Sequence, residues 1–233
     1  MKQNIKREAP ILLPVFTTSV PLDFPSEGTF AFNKKTIKQL EMTVRINEHQ
    51  YFNMNFRVTC NLRVYECKAA AWNVLAYENQ PLKEFNKTFL RDIPKESYEA
   101  CKDRMPARFA RRAEHFYSEY RRVRQGVTAW ETGNLELFGK LCFASCESSI
   151  HNYECGSPEL IEIYEIMRSL PGVYGGRFSG AGFKGACIGL VEPSEKENVE
   201  RELTRRYLEK FPEYEKTFKV YWVKPDDGAR FVE

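Results

Sequence analysis

The sequence lacks a strong excess of either charge and any long apolar run. Its 35 basic and 32 acidic residues leave a net charge of +3, which gives no electrostatic reason to expect a nucleic-acid partner. No apolar segment approaches the roughly 18 to 20 residues of a membrane span. The first apolar run, Ile11 to Leu13, stops at Pro14, short of the roughly 7 to 15 residues of a signal-peptide core. We therefore expect a cytoplasmic protein with no membrane partner.

Cysteine and histidine are present without the patterns that build disulfides or metal sites. The seven cysteines form no C-x-x-C pair, so neither a disulfide framework nor a zinc site is predicted. Cys142 and Cys146 could share a metal only with a second pair from elsewhere, and small buried thiols are the favoured interpretation. The sequence also lacks the G-x-S-x-G, H-E-x-x-H and G-x-x-x-x-G-K-[ST] motifs, which argues against common hydrolase and P-loop chemistries.

The sequence does contain enough apolar material for a core, with 42% hydrophobic and 14% aromatic residues among its 233. Residues 1–58 carry short β-like runs, such as Thr29–Phe32 and Met54–Val58, and no helical periodicity. Helical patterns dominate from Asn61 onward. We predict a β-rich N-terminal segment at residues 1–58 and a second domain at residues 59–233.

Apolar spacings of three and four predict two long helices. The first would bury one face, formed by Leu62, Tyr65, Ala69, Trp72 and Ala76. Pro94 opens a shorter helical stretch, and Pro106 suits the first position of the second long helix. That helix carries a continuous apolar seam, formed by Phe109, Ala113, Phe116, Tyr120, Val123, Val127 and Trp130. Gly133 is expected to end it and Asn134 to cap the next helix.

The C-terminal part alternates strands with helices. Ser157, Pro158 and Glu159 provide an N-cap, a first-turn proline and a first-turn acid for a helix to Leu170. Two strands follow at residues 173–178 and 186–191, then a helix that Ser194 would cap, then a strand at residues 217–223. This order predicts an α+β fold, with a ferredoxin-like sheet packed on a helical bundle.

A glycine-rich segment joins the first two of these strands. Gly180, Gly182 and Gly185 have G-x-G-x-x-G spacing, but a dinucleotide fingerprint must lead into a helix, so the Rossmann interpretation fails. A tight connection and an anion-binding loop both remain open. Lys184 is either a phosphate or carboxylate contact or a solubilising lysine. The candidate loop comprises Ser179, Gly180, Ala181, Gly182, Phe183, Lys184 and Gly185.

Charged residues on the second long helix and a polar link after the third are further candidates. The arginines away from the apolar seam are Arg111, Arg112, Arg121, Arg122 and Arg124. A solvated charged face is favoured over a binding stripe for phosphate-rich partners. For His151 to Glu154, an ordered hydrogen-bonded turn is favoured over a catalytic base.

Four segments together resemble the GHMP small-molecule kinases, in the galactokinase and galacturonokinase branch. Ser179–Cys187 is similar to the family's C-terminal glycine motif, and Gly172–Gly175 to the stretch that precedes it. Ser149–Leu160 resembles the S-[LI]-x-x-x-Y-E segment, and Asn61–Cys67 resembles the Y-N-x-R-x-x-E-C helix start. The resemblance runs from about residue 60 to the end of the chain. It implies a GHMP kinase C-terminal domain, with residues 1–58 as a remnant of the N-terminal domain.

The resemblance also implies a reaction and its components. Family members use ATP and Mg²⁺ to phosphorylate a galactose-type sugar at the anomeric hydroxyl. The family's early sugar signature, its phosphate loop and its catalytic aspartate are not intact here, and Glu48–Tyr51 is only faintly similar to the first. The sugar-contacting positions fall on Cys60, Asn61 and Arg63, although the family usually has tyrosine where this chain has Cys60. Lys184 stands where galacturonokinase-like sequences are basic.

These observations lead to an expected function with open alternatives. We expect a sugar kinase by family whose chain contains no catalytic residue and is inactive alone. A partner chain carrying the missing N-terminal kinase domain would make it one half of a split enzyme. The alternatives are a non-catalytic regulatory protein that binds a sugar or a partner, and a decayed gene product.

Overall fold

The computed structural model describes residues 11–17 and 50–223, with the backbone alone for residues 11–17 and 50–60. The strands are β1 (Ile11–Thr17), β2 (Val173–Ser179), β3 (Gly185–Val191) and β4 (Phe218–Val220). The helices are α1 (Gln50–Tyr77), α2 (Lys95–Cys101), α3 (Ala107–Glu131), α4 (Leu135–His151), α5 (Pro158–Ser169) and α6 (Lys196–Lys210). The α+β prediction is confirmed.

The described residues divide into two compact units. The first contains residues 11–17, 134–146 and 156–223, and the second contains residues 50–133 and 147–155. Thr29–Phe32 lies outside the described residues, and the predicted boundary near residue 58 stays a prediction. None of the described helices is long and apolar enough to cross a membrane.

The first unit is built on a four-stranded sheet with strand order β2-β3-β1-β4. β3 pairs antiparallel with both β2 and β1, and β1 pairs antiparallel with β4. Ile11 lies opposite Val191 and Thr17 lies opposite both Gly185 and Phe218. This is the ferredoxin-like order, with β1 as the internal strand that joins the β2–β3 hairpin to β4.

Helices α5 and α6 contribute the apolar core of the first unit. Their fully buried side chains are Leu160, Ile163, Tyr164, Ile166, Met167, Val199, Leu203 and Tyr207. α4 approaches β2 at two glycines, because a Cβ on Gly139 would overlap the carbonyl oxygen of Tyr174 and a Cβ on Gly175 would overlap the backbone of Gly139. The helix and the strand therefore touch backbone to backbone.

The predicted helix ends are mostly confirmed. Gly133 follows α3 with φ of +69°, a conformation that favours glycine. The Leu137 N–H donates to Asn134 Oδ1 at 3.0 Å, and the Leu160 N–H donates to Ser157 Oγ at 3.4 Å. The prediction for Ser194 was wrong, since it lies inside the short 3₁₀ turn Pro193–Glu195 that precedes α6.

The second unit packs α1, α2 and α3 around one apolar cluster. Its buried members are Ala70, Ala71, Val74, Leu75, Leu90, Ile93, Tyr98, Cys101, Met105, Ala113 and Tyr117. The Tyr117 hydroxyl donates to the Ile93 carbonyl at 2.9 Å, and the Tyr98 hydroxyl donates to the Ala110 carbonyl at 3.1 Å. Both buried phenols therefore satisfy their polar ends.

Two predictions for α1 were wrong. Met54–Val58 is helical, not β-like, because it continues the α1 helix and local strand propensity is easily overridden. The buried face is also rotated from the predicted one, since Leu62 and Tyr65 are exposed whereas Arg63 and Glu66 are buried. The charged pair is buried because it is neutralised inside the unit.

The apolar seam of α3 is only half confirmed. Its first half, at Phe109, Ala113 and Phe116, packs against the apolar cluster. In its second half Tyr120 is 61% exposed and Val123 is 52% exposed. The spacing predicts an apolar face correctly, but within the described residues nothing buries these two side chains.

Candidate functional site

The glycine loop, residues 179–185, lies between β2 and β3, as the sequence predicts. Gly180, Gly182 and Gly185 have φ of +83°, +78° and +113°, so all three positions need glycine's conformational freedom. No heavy atom lies within 4 Å of a Cβ built on Gly180 or Gly185. The loop therefore offers an open backbone face that a polar group can approach closely.

The loop is held in place by the N-terminus of α5. The Ser157 N–H donates to the Gly182 carbonyl at 2.9 Å, and Gly182 is buried while Gly180, Ala181 and Lys184 are exposed. Ser157 thus anchors the loop with its backbone and caps α5 with its side chain.

Charges near the loop are balanced through Glu159, in the first turn of α5. Partial burial would raise the pKa of this carboxyl, but hydrogen bonds from Ser157, from its own backbone and from Tyr214 lower it, as does the charge of Lys184. The Tyr214 hydroxyl donates to Glu159 Oε1 at 3.2 Å. Lys184 is therefore an exposed cation whose field reaches an ionised acid on α5.

The predicted sugar-contacting residues lie on α1, in the other unit. Cys60 is within the helix, and Asn61 is exposed. Arg63 is buried, and its Nη1 and Nη2 donate to Glu66 Oε2 at 3.2 Å and to the Glu154 carbonyl at 3.1 Å. Its guanidinium therefore serves a contact inside the unit, and the roles of Cys60, Asn61 and Arg63 toward a sugar stay predictions.

Arg63 belongs to a cluster that the sequence did not predict. We call it the arginine cluster; it consists of Arg63, Glu66, Arg108, Arg111, Arg112 and Glu154. At its centre Arg112 is 0% exposed. Arg112 donates to Glu66 Oε2 at 2.6 Å, to Glu154 Oε2 at 2.7 Å and to the Asn152 carbonyl at 2.5 Å. The prediction that Arg112 lies on a solvated face was wrong, because two carboxylates and a carbonyl replace water around it.

The turn after α4 supplies one of these carboxylates. Glu154 has φ of +55°, which is uncommon for a residue other than glycine. Hydrogen bonds from Arg112 and Arg111 lower the pKa of its carboxyl from 4.5 to about 2. Asn152 Nδ2 donates to Ser148 Oγ at 3.1 Å, so the predicted hydrogen-bonded turn is confirmed.

Two signals in the sequence point to the arginine cluster in retrospect. Arg63 and Glu66 are three residues apart, which brings opposite charges together on a helix. Arg112 lies three residues after Phe109 and four before Phe116, so it falls on the apolar face of α3. A charge at a core position requires a buried partner.

The resemblance implies ATP and Mg²⁺, and the described residues suit a phosphate better than a metal ion. The glycine loop has an open backbone face, which is compatible with the close approach of a phosphate, and its role toward a phosphate stays a prediction. Among the described side chains of residues 61–223, no group of three His, Cys, Asp or Glu residues could hold a metal ion. These side chains therefore form no Mg²⁺ cage of their own, and a Mg²⁺ ion would depend on the phosphates of a bound nucleotide for its other ligands. The six cysteines with described side chains form no disulfide bonds with one another.

Comparisons with known proteins agree with the motifs. A family profile for the GHMP kinase C-terminal domain matches residues 127–210. The galacturonokinase of Arabidopsis thaliana is 45% identical over 154 residues, covering 66% of this chain and 36% of that protein. The galactokinase of Homo sapiens is 34% identical over 125 residues, covering 54% of this chain and 32% of that protein. The chain thus spans about a third of the length of these curated relatives.

A solved structure shows the same fold. The galactokinase of Lactococcus lactis, crystallised with galactose, has a TM-score of 0.64 at 21% sequence identity, covering 96% of this chain and 47% of that chain. The glycine loop also lies inside the region that the family profile matches. Residues 127–210 thus match the C-terminal domain of the GHMP kinases, and a galacturonokinase and galactokinases are among the proteins to which this chain is similar.

Proposed function

We propose that the chain contributes the C-terminal side of an ATP-dependent kinase that phosphorylates a galactose-type sugar at its anomeric hydroxyl. The observation that carries this proposal is the glycine loop, whose three left-handed glycines leave an open backbone face inside the kinase fold. ATP with Mg²⁺ would supply the phosphoryl group. Catalysis of this kind depends mainly on positioning and on neutralising the phosphates.

In this proposal the chain's own residues form a wall. The hydrogen bond from the Ser157 N–H to the Gly182 carbonyl restrains the loop backbone, so less conformational freedom is lost when a ligand approaches its open face. Arg112 links Glu66, in the middle of α1 and five residues after Asn61, to Glu154 in the turn after α4. None of these residues acts as the acid that orients the sugar hydroxyl, and we propose that the chain alone is inactive.

We further propose an acidic sugar, galacturonate, over galactose. Support comes from the exposed cation of Lys184 on the loop and from the 45% identity to a galacturonokinase, against 34% to a human galactokinase. A carboxylate on the sugar would gain a charge-assisted hydrogen bond from the ammonium group. An exposed ion pair of this kind contributes modestly to binding. It is therefore expected to affect the preference for galacturonate over galactose more than the overall affinity for sugar.

The test combines an activity assay with sugar binding. In a coupled ATP-consumption assay the purified chain is expected to show no turnover with galactose or galacturonate, and turnover clearly above background would overturn the proposed inactivity. Calorimetric titration is expected to show galacturonate binding that Lys184→Gln weakens and the exposed control Lys140→Gln does not. Equal weakening by both variants would remove Lys184 from the sugar proposal.

A second arm addresses the partner. Addition of a kinase N-terminal domain with an intact phosphate loop is expected to restore turnover if the chain is half of a split enzyme. Sugar binding without restored turnover would instead support the regulatory alternative. If the chain binds neither galactose nor galacturonate, the result counts against both the split-enzyme and the regulatory proposals.

A further inference from the structure

The arginine cluster contains more positive charge than its carboxylates can balance. Glu66 lies within ion-pair distance of Arg63, Arg108 and Arg112. Glu154 lies within that distance of Arg63, Arg111 and Arg112. Four arginines therefore share two glutamates, and the cluster carries an excess of two positive charges.

The excess charge is located on the outer pair, Arg108 and Arg111. Arg63 and Arg112 are buried and both contact both glutamates, so these four groups form a neutral centre. The outer side chains are 59% and 42% exposed. They lie three residues apart on α3, which places them side by side on its surface. Two like charges are thus held together at the rim of a charged centre.

Both outer guanidinium groups keep donors available for a ligand. Arg108 Nε is 3.5 Å from Glu66 Oε1, too far for a good hydrogen bond, and that carboxylate oxygen has no hydrogen-bond partner among the described residues. Arg111 Nη2 donates to Glu154 Oε1 at 2.5 Å. This hydrogen bond orients the Arg111 guanidinium and leaves its other N–H groups available to a ligand. The nearest acid on the helix, Glu114, faces the Tyr98 hydroxyl at 3.4 Å.

We propose that Arg108 and Arg111 form a binding site for a phosphate group, free or carried by a small molecule. The excess of two charges matches the dianionic charge of a phosphate, and the fork of each guanidinium matches its oxygens. Glu154, itself fixed by the turn after α4, holds Arg111 in place, so less side-chain freedom is lost on binding. This inference is independent of the proposed kinase function.

The test measures phosphate binding by the full chain. Calorimetric titration with inorganic phosphate, at constant ionic strength set with chloride, is expected to give saturable binding. The double variant Arg108→Gln, Arg111→Gln is expected to weaken it about tenfold or more, because two charge-assisted contacts are lost. The matched control is Arg121→Gln, Arg124→Gln, an exposed pair on the same helix with the same spacing, and it is expected to change binding less than about twofold.

Further arms identify the source of the phosphate and guard against misfolding. If a hexose 1-phosphate binds more tightly than inorganic phosphate, the site is assigned to a phosphorylated small molecule. If the two bind equally, the site is assigned to free phosphate. The Arg108 side chain makes no hydrogen bond within the described residues. The thermal unfolding of the single variant Arg108→Gln is therefore expected to match that of the parent chain. The proposal would be overturned if phosphate gave no binding beyond that of chloride, or if both double variants lost phosphate affinity equally.

Discussion

The glycine loop between β2 and β3 exposes backbone, whereas the arginine cluster on α1 and α3 buries charged side chains. In the loop, Gly180 and Gly185 have open space where a Cβ would stand, and Ser157 holds the loop through a single backbone bond. In the cluster, Arg112 is sealed by Glu66 and Glu154. The loop is thus specified by backbone conformation and the cluster by charge balance, and different substitutions should damage each.

The largest expected effect is in the arginine cluster. Arg112→Met removes the shared partner of two carboxylates and should lower the free energy of unfolding by about 3–5 kcal/mol, because Glu66 stays buried. Denaturant unfolding of this variant and of the exposed control Arg121→Met gives the comparison. A loss below about 1 kcal/mol in Arg112→Met would show that the cluster stabilises little.

An intermediate effect is expected where α4 meets β2. Gly139→Ala places a Cβ against the carbonyl of Tyr174, and the resulting overpacking should cost about 2–3 kcal/mol. The matched change Gly180→Ala meets no neighbour and should cost only about 1 kcal/mol, for its left-handed φ. Equal thermal destabilisation of the two variants would contradict this difference between packing and conformational glycines.

The smallest effect is an acid response of the cluster. The pKa of Glu154 is lowered from 4.5 to about 2 in the folded chain. The stabilisation by this carboxylate is therefore complete above pH 4.5 and is lost as the pH falls toward 2, because the unfolded state then binds the proton first. Glu154→Gln should reduce the slope of unfolding free energy against pH in this window. An unchanged slope would place the acid sensitivity elsewhere.

Features set by local geometry were predictable from the sequence, and features set by distant partners were not. Gly133, Asn134 and Ser157 act through neighbours a few residues away, and each performs the predicted role. By contrast, β1 contains Pro14, and proline is typical of the edge strands of a sheet, whereas β1 is an internal strand. Its place in the sheet depends on β3 and β4, far along the chain.

The same distinction explains the candidate site. Glycine spacing predicted the loop because three positive φ angles need glycine whatever surrounds them. The charge of Arg112 did not reveal its burial, since its two partners lie on α1 and after α4. The second half of the α3 seam shows the converse, because Tyr120 and Val123 have apolar spacing but stay exposed.

The position of β1 has a consequence for the order in which the first unit can assemble. In the described sheet β4 borders β1 alone, and β1 separates β4 from the β2–β3 hairpin. The hairpin is a local contact that can form early, whereas pairing of Val15 with Val220 closes a loop of most of the chain. Contacts of such long sequence separation slow folding. During synthesis β1 must therefore wait for almost the whole chain before its second edge is covered, and removal of β1 would leave β4 without a neighbour.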